Sequence, residues 1–140
     1  MLHSSCMATS NFSRPNVLVI THFTSPYQVE LFDIVSAIGE VRLKVIYLHK
    51  QSPGRKWADR EINHPHVFFS DMKVPSPRLS DLVEESDLVI VNFYQSLVSL
   101  SAISLCRKMK KPMIFWGERP HEHKYSWISK TIRSIIFRGW

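Results

Sequence analysis

Four short stretches of this chain hold the side chains that could do chemistry: HFTSPYQ at 22–28, RKW at 55–57, NFYQ at 92–95 and WGERPHEH at 116–123. In the first, Thr24 and Ser25, with Thr21 just before them, offer hydroxyls beside the start of a helix, whose unpaired N–H groups can hold a sugar hydroxyl or an anion. Ordinary capping by Ser25 is the simpler use and the expected one. RKW joins the cations Arg55 and Lys56 to the flat ring of Trp57, a set that binds phosphate, stacks on a sugar ring, or simply faces water. Glu118 and Arg119 follow a buried apolar run, where a charge is costly unless paired or turned into a cleft. There Glu118 could orient a substrate hydroxyl or act as a base, and Arg119 could take a phosphate; a contact between the two is the competing use. No catalytic residue is assignable beyond Glu118 as a weak candidate, and His121 and His123 are expected as solvated loop residues.

Other site chemistries lack their residues. HEH at 121–123 is too tight for two ligands on one helical face, and no third ligand accompanies it, so no metal is expected. The loop after the first strand lacks G-x-G-x-x-G, and no G-x-x-x-x-G-K-[ST] occurs, so a dinucleotide or P-loop nucleotide is not expected and no cofactor is implied. The two cysteines, Cys6 and Cys106, form no disulfide framework, which suits a reducing compartment, and Cys106 lies mid-helix as a core residue. Eighteen basic against twelve acidic side chains, a net +6, favour anionic partners. The cations are dispersed, without an RNA-binding aromatic motif or a recognition helix, which argues against nucleic acid.

The elements that must position these stretches alternate along the chain. VLVIT at 17–21 is a β-branched first strand. Pro26 opens a helix in which Tyr27, Leu31, Ile34, Val35 and Ile38 recur at helical spacing and are expected to pack on the sheet, with Gly39 as C-cap. Leu43 to Leu48 is a second strand, Val67 to Phe69 a short third, and Ser80 to Glu85 one or two helical turns. Between strands two and three runs a long loop without apolar period, of the kind that is functional or mobile. Leu88 to Val91, a helix from about Ser96 to Lys110, and Met113 to Trp116 complete the pattern. LVIV and MIFW are continuous apolar runs, as a parallel sheet covered on both faces requires. The expected fold is therefore α/β: a Rossmann-like doubly wound parallel sheet of about five strands in the order 3-2-1-4-5, incomplete at its C-terminal end. In such sheets ligands bind beyond the carboxyl ends of the strands, where the order reverses, between the loop 22–27 and the loop 92–96, bordered by 116–121.

Residues 1–15 read as a disordered tail without a signal-peptide core, and no apolar run approaches the ~20 residues that span a bilayer. A cytoplasmic setting is expected. From Ser126 to Trp140, Trp127, Ile128, Ile132, Ile135 and Ile136 lie on one arc opposite Lys130 and Arg133. This basic amphipathic helix would pack on its own protein or lie peripherally on an anionic membrane.

Three segments, VLVITHFTSPYQVELFDIV, VRLKVIYLHKQSPGRKW and DLVIVNFYQSLVSLSAISLCRKMKKPMIFWGERP, resemble in order and spacing the amino-terminal domain of GT-B fold glycosyltransferases of the family 4 type, across about residues 16–140. The resemblance implies an acceptor-side Rossmann-like domain. Its acceptor would be a glycan or lipid-linked saccharide, contacted by His22, Thr24, Ser25, Tyr27, Gln28, Arg55, Trp57, Asn92, Tyr94, Gln95, Trp116, Glu118 and Arg119. A nucleotide sugar would bind only with a second domain. That domain, and the family's pair of glutamates eight positions apart, have no counterpart here: Glu118 is matched by Ser126 and Glu122 by Lys130. The expectation is half of a sugar-transferring enzyme, inactive alone. The alternative is a noncatalytic glycan- or membrane-binding subunit that needs a partner chain.

Overall fold

The computed structural model describes residues 13–50, 54, 60–69, 76–92, 96–117 and 134–135. Within them strands and helices alternate as β1 (Asn16–Phe23), α1 (Pro26–Ile38), β2 (Arg42–His49), β3 (His66–Phe68), α2 (Pro77–Glu85), β4 (Leu88–Val91), α3 (Leu97–Met109) and β5 (Met113–Phe115). The sheet order is β3-β2-β1-β4-β5, and every neighbouring pair is parallel. The fold is thus an α/β, Rossmann-like, doubly wound sheet.

Central β1 shows why its sequence is apolar without alternation. Leu18 and Ile20 face one way, into a core with Ile46, Val83, Val89, Val91, Ala102 and Ile103 beneath α2 and α3. Val19, between them, faces the other way, into a core with Val29, Phe32, Val45 and Tyr47 beneath α1. Each such side chain gains about 1.5–3 kcal/mol from leaving water, so both faces must be covered. At the base of the sheet Asn16 ties β1 to the start of β4: its N–H donates to Asp87 Oδ2 at 2.7 Å and its Nδ2 to Glu85 O at 3.0 Å.

Local signals set the helix ends. Ser76 and Ser96 cap α2 and α3, accepting from Leu79 N at 3.4 Å and Ser99 N at 3.0 Å. The Ser76 cap, followed by Pro77, starts α2 three residues before the turn expected from Ser80. β3 lies one residue earlier than the expected Val67 to Phe69. Cys106 is fully buried on α3, as a core cysteine, and burial pushes its thiol up to about 11.

α1 corrects the reading of its apolar stripe. The structure buries Gln28, Val29 and Phe32 and half-buries Val35, whereas Tyr27, Leu31, Ile34 and Ile38 stay 39–63% exposed. Two polar contacts fix this rotation. Gln28 is bonded to Thr21 on β1, and Asp33 to His64 beside β3. Turning the stripe inward would break both and leave the buried Thr21 O–H and His64 Nδ1–H without an acceptor, a penalty of about 1–3 kcal/mol each.

Gly39 ends α1 in the left-handed region at φ 76°, and a Cβ there would meet only ordinary contacts, the nearest being Arg14 Nη1 at 3.6 Å. The cost of a side chain is therefore conformational. Gly39→Ala should destabilise the protein by about 1–2 kcal/mol in urea titration, whereas the control Ala37→Gly, in the exposed last turn, should cost about 0.5–1 kcal/mol. An unchanged midpoint for Gly39→Ala would show that the cap is not constrained.

Candidate functional site

The sheet order reverses between β1 and β4: α1 leaves β1 on one face and α3 leaves β4 on the other, which opens a crevice above their carboxyl ends. The ladders continue past the strand ends and carry side chains into it. Asn92 N donates to Ile20 O at 2.8 Å and Trp116 N to Val91 O at 3.0 Å. By pleat alternation Thr21, Asn92 and Trp116 all fall on the α1 side.

A chain of hydrogen bonds then crosses the crevice. Asn92 Nδ2 donates to Thr21 Oγ1 at 3.1 Å, the Thr21 hydroxyl donates to Gln28 Oε1 at 3.1 Å, and Gln28 Nε2 donates to Tyr27 OH at 3.3 Å. Thr21 is 1% exposed and Gln28 7%, whereas Tyr27 is 60% exposed. A buried hydroxyl at the end of a core strand is thereby satisfied, and its partners are held in fixed rotamers up to the solvent edge. Trp116 stands beside them, edge-on to Phe32 with ring centroids 6.1 Å apart.

The remaining predicted residues divide. His22 turns away from this chain of bonds, against Phe23 (3.6 Å between centroids) and His49 (5.2 Å). Burial, then the neighbouring His49, lowers its pKa, so it is neutral at pH 7. Thr24 Oγ1 donates to Lys50 O at 2.5 Å and pins the β1 loop to the end of β2. Ser25 stands at the N-cap of α1 with extended backbone, yet its side chain makes no capping bond, and among the described residues its buried Oγ has no partner. The expected capping role is thus corrected: Pro26 at the first helical position supplies the start of α1 instead. Arg55, Trp57, Tyr94, Gln95, Glu118, Arg119, His121 and His123 lie outside the described residues. Among the described residues the crevice offers amides, hydroxyls and aromatic rings and no carboxylate, and no group of three or more His, Cys, Asp or Glu could hold a metal ion. This is a set for binding uncharged polar groups.

No protein-family model, curated protein or solved structure matches the chain. The candidate site is therefore defined by its own groups. A cavity of about 440 Å³ lies at the other end of the sheet, lined by Arg14, Asn16, Arg42, Lys44 and Glu85 among others. We favour the crevice. Asn16 and the Glu85 carbonyl are engaged in holding β1 to β4, and the strand amino ends offer no reversal of order.

Sequence reasoning missed a second network. Tyr47 OH donates to His64 Nε2 at 2.8 Å, and His64 Nδ1–H donates to Asp33 Oδ1 at 2.6 Å, which also accepts from Asn63 N at 3.0 Å. His66 Nδ1–H donates back to His64 O at 2.9 Å. His64 is 2% exposed. Burial lowers its pKa, against the bonded Asp33 carboxylate that works the other way, and His66 adds to the lowering. Burial and the charge of Asp33 push the Tyr47 phenol up. The contact is thus a neutral imidazole on a carboxylate, and it ties the segment before β3 to α1 and β2. No spacing links residues 33, 47 and 64; only the topology does.

Because His22 and His64 both titrate below the ordinary 6.5 in the folded chain, the unfolded chain takes up protons first as pH falls. Their contribution is complete above about pH 6.5 and is lost as pH drops toward the folded values. The urea midpoint should fall between about pH 7.5 and pH 5.5. His64→Gln should cost about 1–3 kcal/mol at the higher pH and flatten that dependence; an equally steep variant would remove His64 as its source. Separately, Thr21→Val leaves Gln28 and Asn92 without their shared partner and should cost about 1–3 kcal/mol.

Proposed function

We propose that this chain is the acceptor-binding half of a glycosyltransferase of the GT-B type, holding a glycan or lipid-linked saccharide while a second domain, on the same polypeptide or another, supplies the nucleotide sugar. The observation that carries the reading is the bond chain Asn92–Thr21–Gln28–Tyr27 at the switch point of the sheet, beside the half-exposed Trp116. Sugars are recognised by such means: amides and hydroxyls that both donate and accept, and a flat ring for the apolar face of the pyranose. Amides held by buried partners lose little freedom on binding. The sequence resemblance supports the same reading, and Glu118 and Arg119, beyond Trp116, are proposed to border the acceptor.

In this reading the chain orients an acceptor hydroxyl and does not by itself transfer sugar. Incubated with a panel of nucleotide sugars, it should release no nucleotide. It should bind a panel of oligosaccharides and lipid-linked saccharides in calorimetry, and Asn92→Ala should weaken that binding roughly tenfold, equivalent to one lost hydrogen bond of about 1.4 kcal/mol. Donor turnover by the isolated chain would contradict the division of labour, and an undiminished affinity in Asn92→Ala would move the acceptor elsewhere.

A second reading, a noncatalytic subunit on an anionic membrane, has one observation in its favour. Ile135 is 60% exposed, and its carbonyl accepts from Arg107 Nη2 at 3.2 Å, next to Lys108 and Lys110 at the end of α3. At Ile135 the apolar side chain is open beside Arg107. Among the described residues no helix is long and apolar enough to cross a membrane. Co-sedimentation with vesicles containing anionic lipid, with and without residues 126–140, separates the two readings.

A further inference from the structure

The cavity at the amino ends of the strands is lined by cations that the fold does not use. Its volume of about 440 Å³ lies within the range of roughly 300–1,000 Å³ typical of small-molecule sites. Arg42 and Lys44 stand two residues apart on β2, opposite Asn16 and Leu18 of β1, so pleat alternation turns both to the α2 side of the sheet. Arg14 approaches from the end of α1, its Nη1 3.6 Å from where a Cβ on Gly39 would stand. Among the described residues the ion pairs are Arg60 with Glu30 and His64 with Asp33, so none of the three cations is neutralised. Nor does the end of α2 need them, although free carbonyls at a helix end are a common use for cations. Its last four carbonyls are all taken: Leu82 O by Ser86 Oγ, Val83 O by Ser86 N, Glu84 O by Lys111 Nζ and Glu85 O by Asn16 Nδ2.

We propose that this cavity is a second binding site, for a small organic phosphate whose charge meets Arg14, Arg42 and Lys44. Charge and shape select that class. Among the described residues three cations and one carboxylate, Glu85, line the cavity and leave it a net charge of +2. Its complement is a phosphate monoester, which carries about −1.5 to −2 at pH 7. A guanidinium can grip two phosphate oxygens at once, and an ammonium adds a point charge. Val41, Pro65 and Leu82 supply apolar wall, which suits a ligand whose body is apolar or a flat ring. Orthophosphate alone would leave that wall bare. The site lies at the opposite end of the strands from the crevice and does not depend on what the crevice binds, and a neutral saccharide has no charge to offer these cations.

Phenyl phosphate, a phosphate joined to one flat ring, is the probe. Added to the isotope-labelled full chain, it should give saturable amide shifts at Arg14, Gly39, Arg42 and Lys44 with a Kd of about 0.1–1 mM, while Thr21 and Asn92 stay unmoved. Benzyl alcohol, with a ring and no phosphate, and inorganic phosphate, with no ring, should each bind at least roughly tenfold more weakly. Arg42→Gln and Lys44→Gln should each weaken phenyl phosphate binding about tenfold, as the loss of a charge-assisted hydrogen bond does. Lys108→Gln, exposed on α3 and outside the cavity, should leave it unchanged. Glu85→Gln removes the repelling carboxylate but keeps the carbonyl that Asn16 bonds, and should tighten binding about threefold, a gain that no damage to the fold can mimic. The absence of saturable shifts up to about 10 mM phenyl phosphate overturns the proposal. So does equal affinity for benzyl alcohol or for inorganic phosphate, an affinity indifferent to Arg42→Gln and Lys44→Gln, or a Glu85→Gln variant that binds no more tightly.

Discussion

A hydroxyl at the end of the central strand organises this molecule. Thr21 is carried by β1 to the point where core ends and loop begins, and at 1% exposure its oxygen has no water to bond. Left alone it would cost about 1–3 kcal/mol; donating to Gln28 and accepting from Asn92, it joins α1, β1 and β4. This buried group thus helps to hold the rotation of α1, ties down Asn92 after β4, and presents two amides and a phenol at the reversal of strand order. The exposed stripe of α1 follows from the same rotation, since placing Gln28 inward places Tyr27, Leu31 and Ile34 outward.

The two polar networks divide the α1 face between them. Around Thr21 the groups are neutral and reach the solvent edge at Tyr27, so they are fit to meet a ligand. Around His64 they are buried and serve anchorage, tying the segment before the three-residue β3 to α1 and β2 together with the Val45 N–H to Pro65 O bond and the packing of Ile62. Lowered histidine pKa values are often a mark of chemistry. Here burial within a satisfied triad accounts for that of His64, and a ring whose two nitrogens are both engaged within the protein serves structure.

Much of the fold was legible in the sequence because its signals were local. The apolar runs 17–21, 43–48 and 88–91 are strands, the run 113–116 is one up to Phe115, Pro26 and Gly39 bound a helix, and right-handed connection gives the strand order. The side of α1 that faces the sheet was not legible. Helical period picked the most regular apolar stripe, but Phe32 and Val29 with Gln28 won, because partners on β1 and beside β3 outweigh periodicity. The site was half legible. Asn92, Gln28, Tyr27 and Trp116 meet where the strand-end rule puts them, whereas His22 turns away, Ser25 does not cap, and the triad of Asp33, Tyr47 and His64 exists only once the chain has folded.

A saccharide bound above β1 and β4 would perturb the groups that line the crevice. Amide chemical shifts of the labelled chain, followed by NMR as a saccharide is added, read this out. Saturable shifts should cluster at Thr21 to Gln28, Asn92 and Trp116, including the side-chain amides of Gln28 and Asn92. Shifts clustered instead at Arg14, Arg42 and Lys44, around the cavity at the opposite end of the sheet, would contradict it.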